Sequence, residues 1–161
     1  MSVALTNLQR GRKINRRLLK QIVDALLAEL NLEKAEIGLC FVDASEMTRL
    51  NETFLRHAGS TDVITFDYSA PQSKTRDAIP QHHGEIFICV DEAVLQARKF
   101  GTNWQSEIVR YVVHGVLHLI GHDDRRPTAR RKMKREENRL LAGLSRRFSL
   151  AQLSRPVRLS A

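Results

Sequence analysis

The residues able to do chemistry concentrate in one stretch, VHGVLHLIGHDD (113–124), where an apolar run carries histidines at 114, 118 and 122 and ends in two aspartates. On a helix each residue advances by about 100° and about 1.5 Å, so His114 and His118 share a face about 6 Å apart. That spacing lets two imidazoles reach one ion, as in zinc sites of the His-x-x-x-His kind. A straight continuation would carry His122 about 12 Å along the axis from His114, too far for a shared metal. The chain must turn, and Gly121 is the residue that can end the helix in a left-handed conformation. Two candidates for a third ligand remain. His122 is the more usual donor but follows the glycine immediately; Asp124 has two further residues in which to come back, and chain length favours it. Two imidazoles and a carboxylate suit one zinc ion and also accept other divalent metals. The competing reading makes these histidines packed polar residues of a core.

Gly115 stands where zinc proteases of the His-Glu-x-x-His type carry their general base, so peptide hydrolysis by that route has no base here. A glycine inside a helix costs about 1 kcal/mol relative to alanine, which predicts a close approach at that point.

The elements that must position this stretch are legible in the apolar spacing. NRRLLKQIVDALLAEL (15–30) reads as an amphipathic helix, EIGLCFVD (36–43) as a strand, and the next residues as a helix capped by Asp43 or Ser45 with Met47, Leu50 and Phe54 as its stripe. TDVITFDY (61–68) and GEIFICV (84–90) are further strands, separated by a polar, proline-flanked mobile loop. Asp91 is expected to cap a helix that Gly101 ends, a long helix over about 104–120 carries the histidines, and Pro127 starts a last helix to about Leu144. The result is an α+β fold: a single mixed sheet of about four strands, helices mainly on one face, and the metal site on a central helix.

At 161 residues the chain is expected to be a single domain over 1–145 with a basic tail over 146–161. Cys40 and Cys89 sit in apolar stretches, as buried thiols in a reducing cytoplasm do. No apolar run approaches the roughly 18 residues of a membrane span. The net charge of +8 is unevenly placed, because residues 125–161 hold 12 Lys/Arg against 2 Glu. A second basic cluster spans Arg10 to Lys20. Such asymmetry points to a polyanionic partner, most often nucleic acid, although a solvated helix face would look the same. Aromatic residues are scarce, which leaves little material for base-stacking platforms.

HGVLHLIGHDD, together with LNETFLRHAGSTDVITFDY (50–68) and GEIFICVDEAVLQA (84–97), resembles the YbeY family of bacterial rRNA maturation factors, which are metal-dependent endoribonucleases. The three blocks occur in the family's order. The resemblance implies single-strand-specific RNA cleavage, maturation of the 3′ end of 16S ribosomal RNA, a part in ribosome quality control, and ribosomal RNA and the small ribosomal subunit as partners. It implies neither a membrane nor a small-molecule cofactor. It also implies one zinc ion on a His-x-x-x-His-x-x-x-x-x-His pattern, whose first two positions are His114 and His118. The third falls on Asp124, where this chain departs from the usual histidine and lowers the charge of the site by one unit. The family's arginine before its Thr-Asp-Val segment corresponds to Arg56, whose planar fork suits a phosphate. Arg56 and His114 are thus the expected catalytic residues, with Arg56 also binding substrate. A rival of another class keeps the same charge and fold: an RNA-binding assembly factor with a structural metal closed by four protein ligands.

Overall fold

Alternation along Glu36–Val42 sends Ile37, Leu39 and Phe41 to one side of a strand, and Ile86 and Ile88 of its neighbour His83–Cys89 join them in the core. The computed structural model describes residues 2–32, 34–69 and 82–154, in which four strands form one sheet. These are β1 (Ser2–Asn7), β2 (Glu36–Val42), β3 (Val63–Asp67) and β4 (His83–Cys89), in the order β1-β2-β4-β3. β1 and β4 flank β2 in parallel, and β3 runs antiparallel along the outside of β4. The sheet is mixed, as expected.

Helices α1 (Arg16–Glu29), α3 (Val90–Phe100) and α4 (Trp104–Leu119) send Leu19, Ile22, Ala93, Ile108, Val112 and Val116 into the core on that face. α5 (Pro127–Arg147) lies outside them against α4 and α1. Among the described residues only α2 (Ala44–Leu50) serves the other face, where Met47 and Leu50 join a small cluster with Cys40, Val42 and Cys89. Helix starts follow their capping residues: Asn15, Asp43 and Asn103 each accept a backbone N–H from three residues on.

Four local expectations change. β1 is not among the expected strands, because Val3 and Leu5 alternate too briefly to stand out, and the strand is defined by parallel pairing with β2. α3 begins at Val90, and the Asp91 carboxylate instead accepts the Ala44 N–H at 2.7 Å, tying the start of α2 to α3. α2 passes into a π turn (Asn51–Leu55), which shifts the spacing and leaves Phe54 58% exposed instead of on the buried stripe. The expected tail over 146–161 is folded in its first part: α5 runs to Arg147, and a 3-10 turn (Leu150–Ser154) buries Leu150 and Leu153 in the main core. Residues 155–161, and most of the loop expected over 69–83, lie outside the described residues.

Gly115 explains itself once α4 is seated. A Cβ there would stand 2.7 Å from the Ile86 side chain, so the glycine lets the middle of α4 lie against β4. The close approach fixes how high the next turn, with His118, stands over the sheet.

Candidate metal centre

α4 ends as its sequence requires. Gly121 has φ 101°, its N–H donates to the His118 carbonyl at 3.0 Å, and the His122 N–H donates to the Leu117 carbonyl at 3.0 Å. This pair of bonds is a Schellman motif, which turns the chain off the helix axis. The Asp123 carboxylate then accepts the Arg125 N–H at 2.9 Å, closing a tight turn. Asp124 comes back to the helix face, and His122 does not: among the described residues the group able to hold a metal ion is His114, His118 and Asp124.

The three donor atoms form a triangle. His114 Nε2 and His118 Nε2 are 3.1 Å apart, and Asp124 Oδ2 lies 3.4 Å from His118 Nε2 and 3.8 Å from His114 Nε2. Bonds of about 2.1 Å at tetrahedral angles would separate ligand atoms by about 3.4 Å, so the donor set fits a zinc-sized ion with little movement. The two rings meet edge to face, 79° apart, with their centroids 4.7 Å from each other. The Asp124 side chain is 44% exposed, so the site faces solvent.

Sequence reasoning missed the residue behind His114. Glu137 on α5 is 4% exposed, and its Oε2 lies 3.0 Å from His114 Nδ1. Its Oε1 accepts from the Arg110 guanidinium at 2.8 Å, and Arg110 also donates to Asn138 at 2.9 Å. Burial works to raise the Glu137 pKa, but hydrogen bonds from His114 and Arg110 and the charge of Lys134 bring it down to about 2. The ionised carboxylate calls for a proton on His114 Nδ1, which leaves Nε2 free as the ligand atom. Burial lowers the His114 pKa, but the hydrogen bond and charge of Glu137, with Asp62 and Asp124, raise it overall. A signal did exist in the sequence. Glu137 occupies a place in the spacing Met133, Glu137, Leu140, Leu144, the buried stripe of α5, and a carboxylate in such a stripe needs a partner.

Arg56 is placed differently. It caps the π turn with φ 55°, is exposed, and makes no ion pair among the described residues. It does not line the cavity of about 530 Å³ that opens beside His114 and Asp124. That cavity lies between the ends of α3 and α4 on one side and α5 on the other, with Asp62, Glu107, Arg110, Arg130 and Lys134 in its walls.

The family model for Endoribonuclease YbeY matches residues 4–145, nearly the whole described chain. This chain belongs to the YbeY endoribonuclease family. Among YbeY relatives, Endoribonuclease YbeY of Elusimicrobium minutum (strain Pei191) is 40% identical over 124 residues, covering 77% of this chain and 85% of the relative. The Thermobifida fusca (strain YX) enzyme of the same name is 36% identical over 132 residues, covering 81% and 83%. A Thermotoga maritima protein known from its solution structure shares the fold, with a TM-score of 0.64, 20% identity and 99% of each chain covered. The YbeY match makes the chain an RNA-cleaving hydrolase by family. Among the described residues no helix is long and apolar enough to cross a membrane.

Proposed function

We propose that this chain is a zinc-dependent, single-strand-specific endoribonuclease of the cytoplasm that matures the 3′ end of 16S ribosomal RNA and serves ribosome quality control on the small subunit. The observation that carries the metal reading is the triangle of His114, His118 and Asp124 donor atoms, 3.1 to 3.8 Å apart, at the edge of an open cavity. When bound there, the ion supplies an acidified water, its pKa lowered from about 16 toward 7, and polarises a phosphoryl oxygen.

The chain's own residues do the rest. Glu137 holds His114 in the tautomer whose Nε2 faces the donor triangle. Arg56, exposed and unpaired among the described residues, is the candidate to grip a phosphate of the RNA and offset charge developing on it. Basic residues along α5 and between Arg10 and Lys20 hold the backbone, so binding falls steeply with salt. His122 lies outside the donor group, so this group is a three-ligand set, which favours a catalytic over a closed structural site.

The test is metal content by mass spectrometry of wild type, His114→Ala, His122→Ala and Asp124→Ala, each then assayed on single-stranded RNA. Metal and cleavage are expected to disappear together in His114→Ala and Asp124→Ala and to persist in His122→Ala. A wild type that stays metal-free and inactive when zinc, manganese or nickel is supplied would overturn the metalloenzyme reading in favour of an RNA-binding factor.

A further inference from the structure

The cavity beside His114 and Asp124 carries both signs of charge, with the Arg110–Glu137 ion pair in its lining and further charged residues around it. At about 530 Å³ it is in the size range of small-ligand pockets. From α5 come the exposed cations Arg130 and Lys134, the latter 3.4 Å from Glu137, and from outside α5 come the carboxylates of Asp62 and Glu107. Asp62 Oδ1 accepts the Val63 N–H at 2.8 Å and Glu107 Oε1 accepts the Thr102 hydroxyl at 3.0 Å. The second oxygen of each has no hydrogen-bond partner among the described residues. At the rim the Phe100 ring is 66% exposed, and the Lys99 ammonium lies 5.4 Å from its centroid. Large exposed aromatics on water-soluble surfaces are informative when they border a charged cavity, because a ring there offers a stacking face.

We infer that this cavity is a nucleotide subsite flanking the scissile bond, in which Arg130 and Lys134 take the sugar-phosphate side, Phe100 stacks on the base, and Asp62 and Glu107 accept hydrogen bonds from an exocyclic amino group. The inference rests on the endoribonuclease reading, since what fills the cavity is then joined to the phosphate that meets the donor triangle. Its consequence is a base preference. Cytosine offers its N4 amino group to a carboxylate, whereas uracil presents a carbonyl oxygen at the same place and is repelled. The two pyrimidines stack alike, so the pair isolates the carboxylate acceptors. A carboxylate that accepts from the cytosine amino group and meets the uracil carbonyl instead discriminates by about tenfold.

The decisive experiment measures cleavage and equilibrium binding of the metal-loaded protein with single-stranded RNAs that differ only in cytidine or uridine. A random single-stranded pool is cleaved and the product ends are sequenced, and the affinities of oligocytidylate and oligouridylate are compared at one salt concentration. Uridine is expected to be depleted about tenfold at one position beside the cleaved bond, with oligocytidylate bound correspondingly tighter. Asp62→Asn with Glu107→Gln should abolish that preference by bringing cytidine-flanked and uridine-flanked sites to the same level within one preparation, and Phe100→Ala should raise KM severalfold for both bases with little change in kcat. Equal use of cytidine and uridine, or a preference indifferent to the Asp62 and Glu107 substitutions, overturns the subsite. If no RNA is cleaved, the nuclease reading fails on its own, and equal affinity for the two oligomers then removes the subsite as well.

Discussion

The two faces of α4 obey different rules. Toward the sheet, Ile108, Val112, Val113 and Val116 are fully or almost fully buried, and Gly115 is pressed on Ile86. Toward α5, His114 and His118 are only partly buried and are held by named atoms: Glu137 on one side of His114, the Asp124 carboxylate near both rings. The first face is an area problem, where shape and volume decide. The second is a geometry problem, where a shift of a few tenths of an ångström changes which atoms meet. One helix carries both, so the packing face sets the height and rotation of the chemical face.

The sharpest way to break that division is Gly115→Val. Its side chain would drive into Ile86, and overpacking of this severity costs about 3 kcal/mol, lowering Tm by about 10 °C and lifting both histidines off register. Thermal denaturation and metal content should fall together, and adding Ile86→Ala should restore part of both. Equal metal affinity in a destabilised Gly115→Val protein would mean that the faces are independent.

Glu137→Gln is expected to act on the chemical face first. It keeps the shape but removes the charge that fixes the His114 tautomer, so metal affinity measured by competition with a chelator should drop about 10- to 100-fold. In the metal-free protein the same pair gives a pH signature. Glu137 is depressed from 4.5 to about 2, so its contribution is complete above 4.5 and is lost as pH falls toward 2. His114 is raised above 6.5, so its contribution is complete below 6.5 and is lost as pH rises through its folded value. The stability gap between wild type and Glu137→Gln, from urea titrations across pH, should therefore be widest between about pH 4.5 and 6.5.

Smaller effects belong to the packing side. The Tyr111 hydroxyl is buried with no hydrogen-bond partner among the described residues, so Tyr111→Phe should raise stability by about 1 kcal/mol in a denaturant titration. Cys40 is buried, and burial, helped by the charges of Glu85 and Glu46, pushes its thiol up to about 11. At pH 8 the folded protein should hold about a hundredfold less thiolate there than an ordinary cysteine, and alkylation of Cys40 should be correspondingly slow until the protein unfolds.

Strong local signals are legible in the residues themselves. The helical spacing of α1, the β-branched run of β3, Gly101 ending α3 and Gly121 ending α4 each follow from residue type and need no distant partner. The turn at Gly121 also favours Asp124 over His122, because the length of chain available to reverse direction is written in the sequence. β1 escapes such reading because six residues of weak alternation become a strand only by pairing with β2, which lies beyond α1. The 3-10 turn at Leu150–Ser154 escapes it because its basic surroundings mask two leucines that find the core only after α5 has crossed the molecule.

The sequence by itself determined the type and spacing of the donors, the end of their helix, and the basic bias of the last quarter of the chain. Those properties depend on neighbours within one or two helical turns. Tertiary structure alone decided that Glu137 stands behind His114, that Gly115 meets Ile86, and that Asp62 and Glu107 share one cavity with Arg130 and Lys134. Each of those pairs is far apart along the chain, and only the packing of α4 between β4 and α5 brings them within reach.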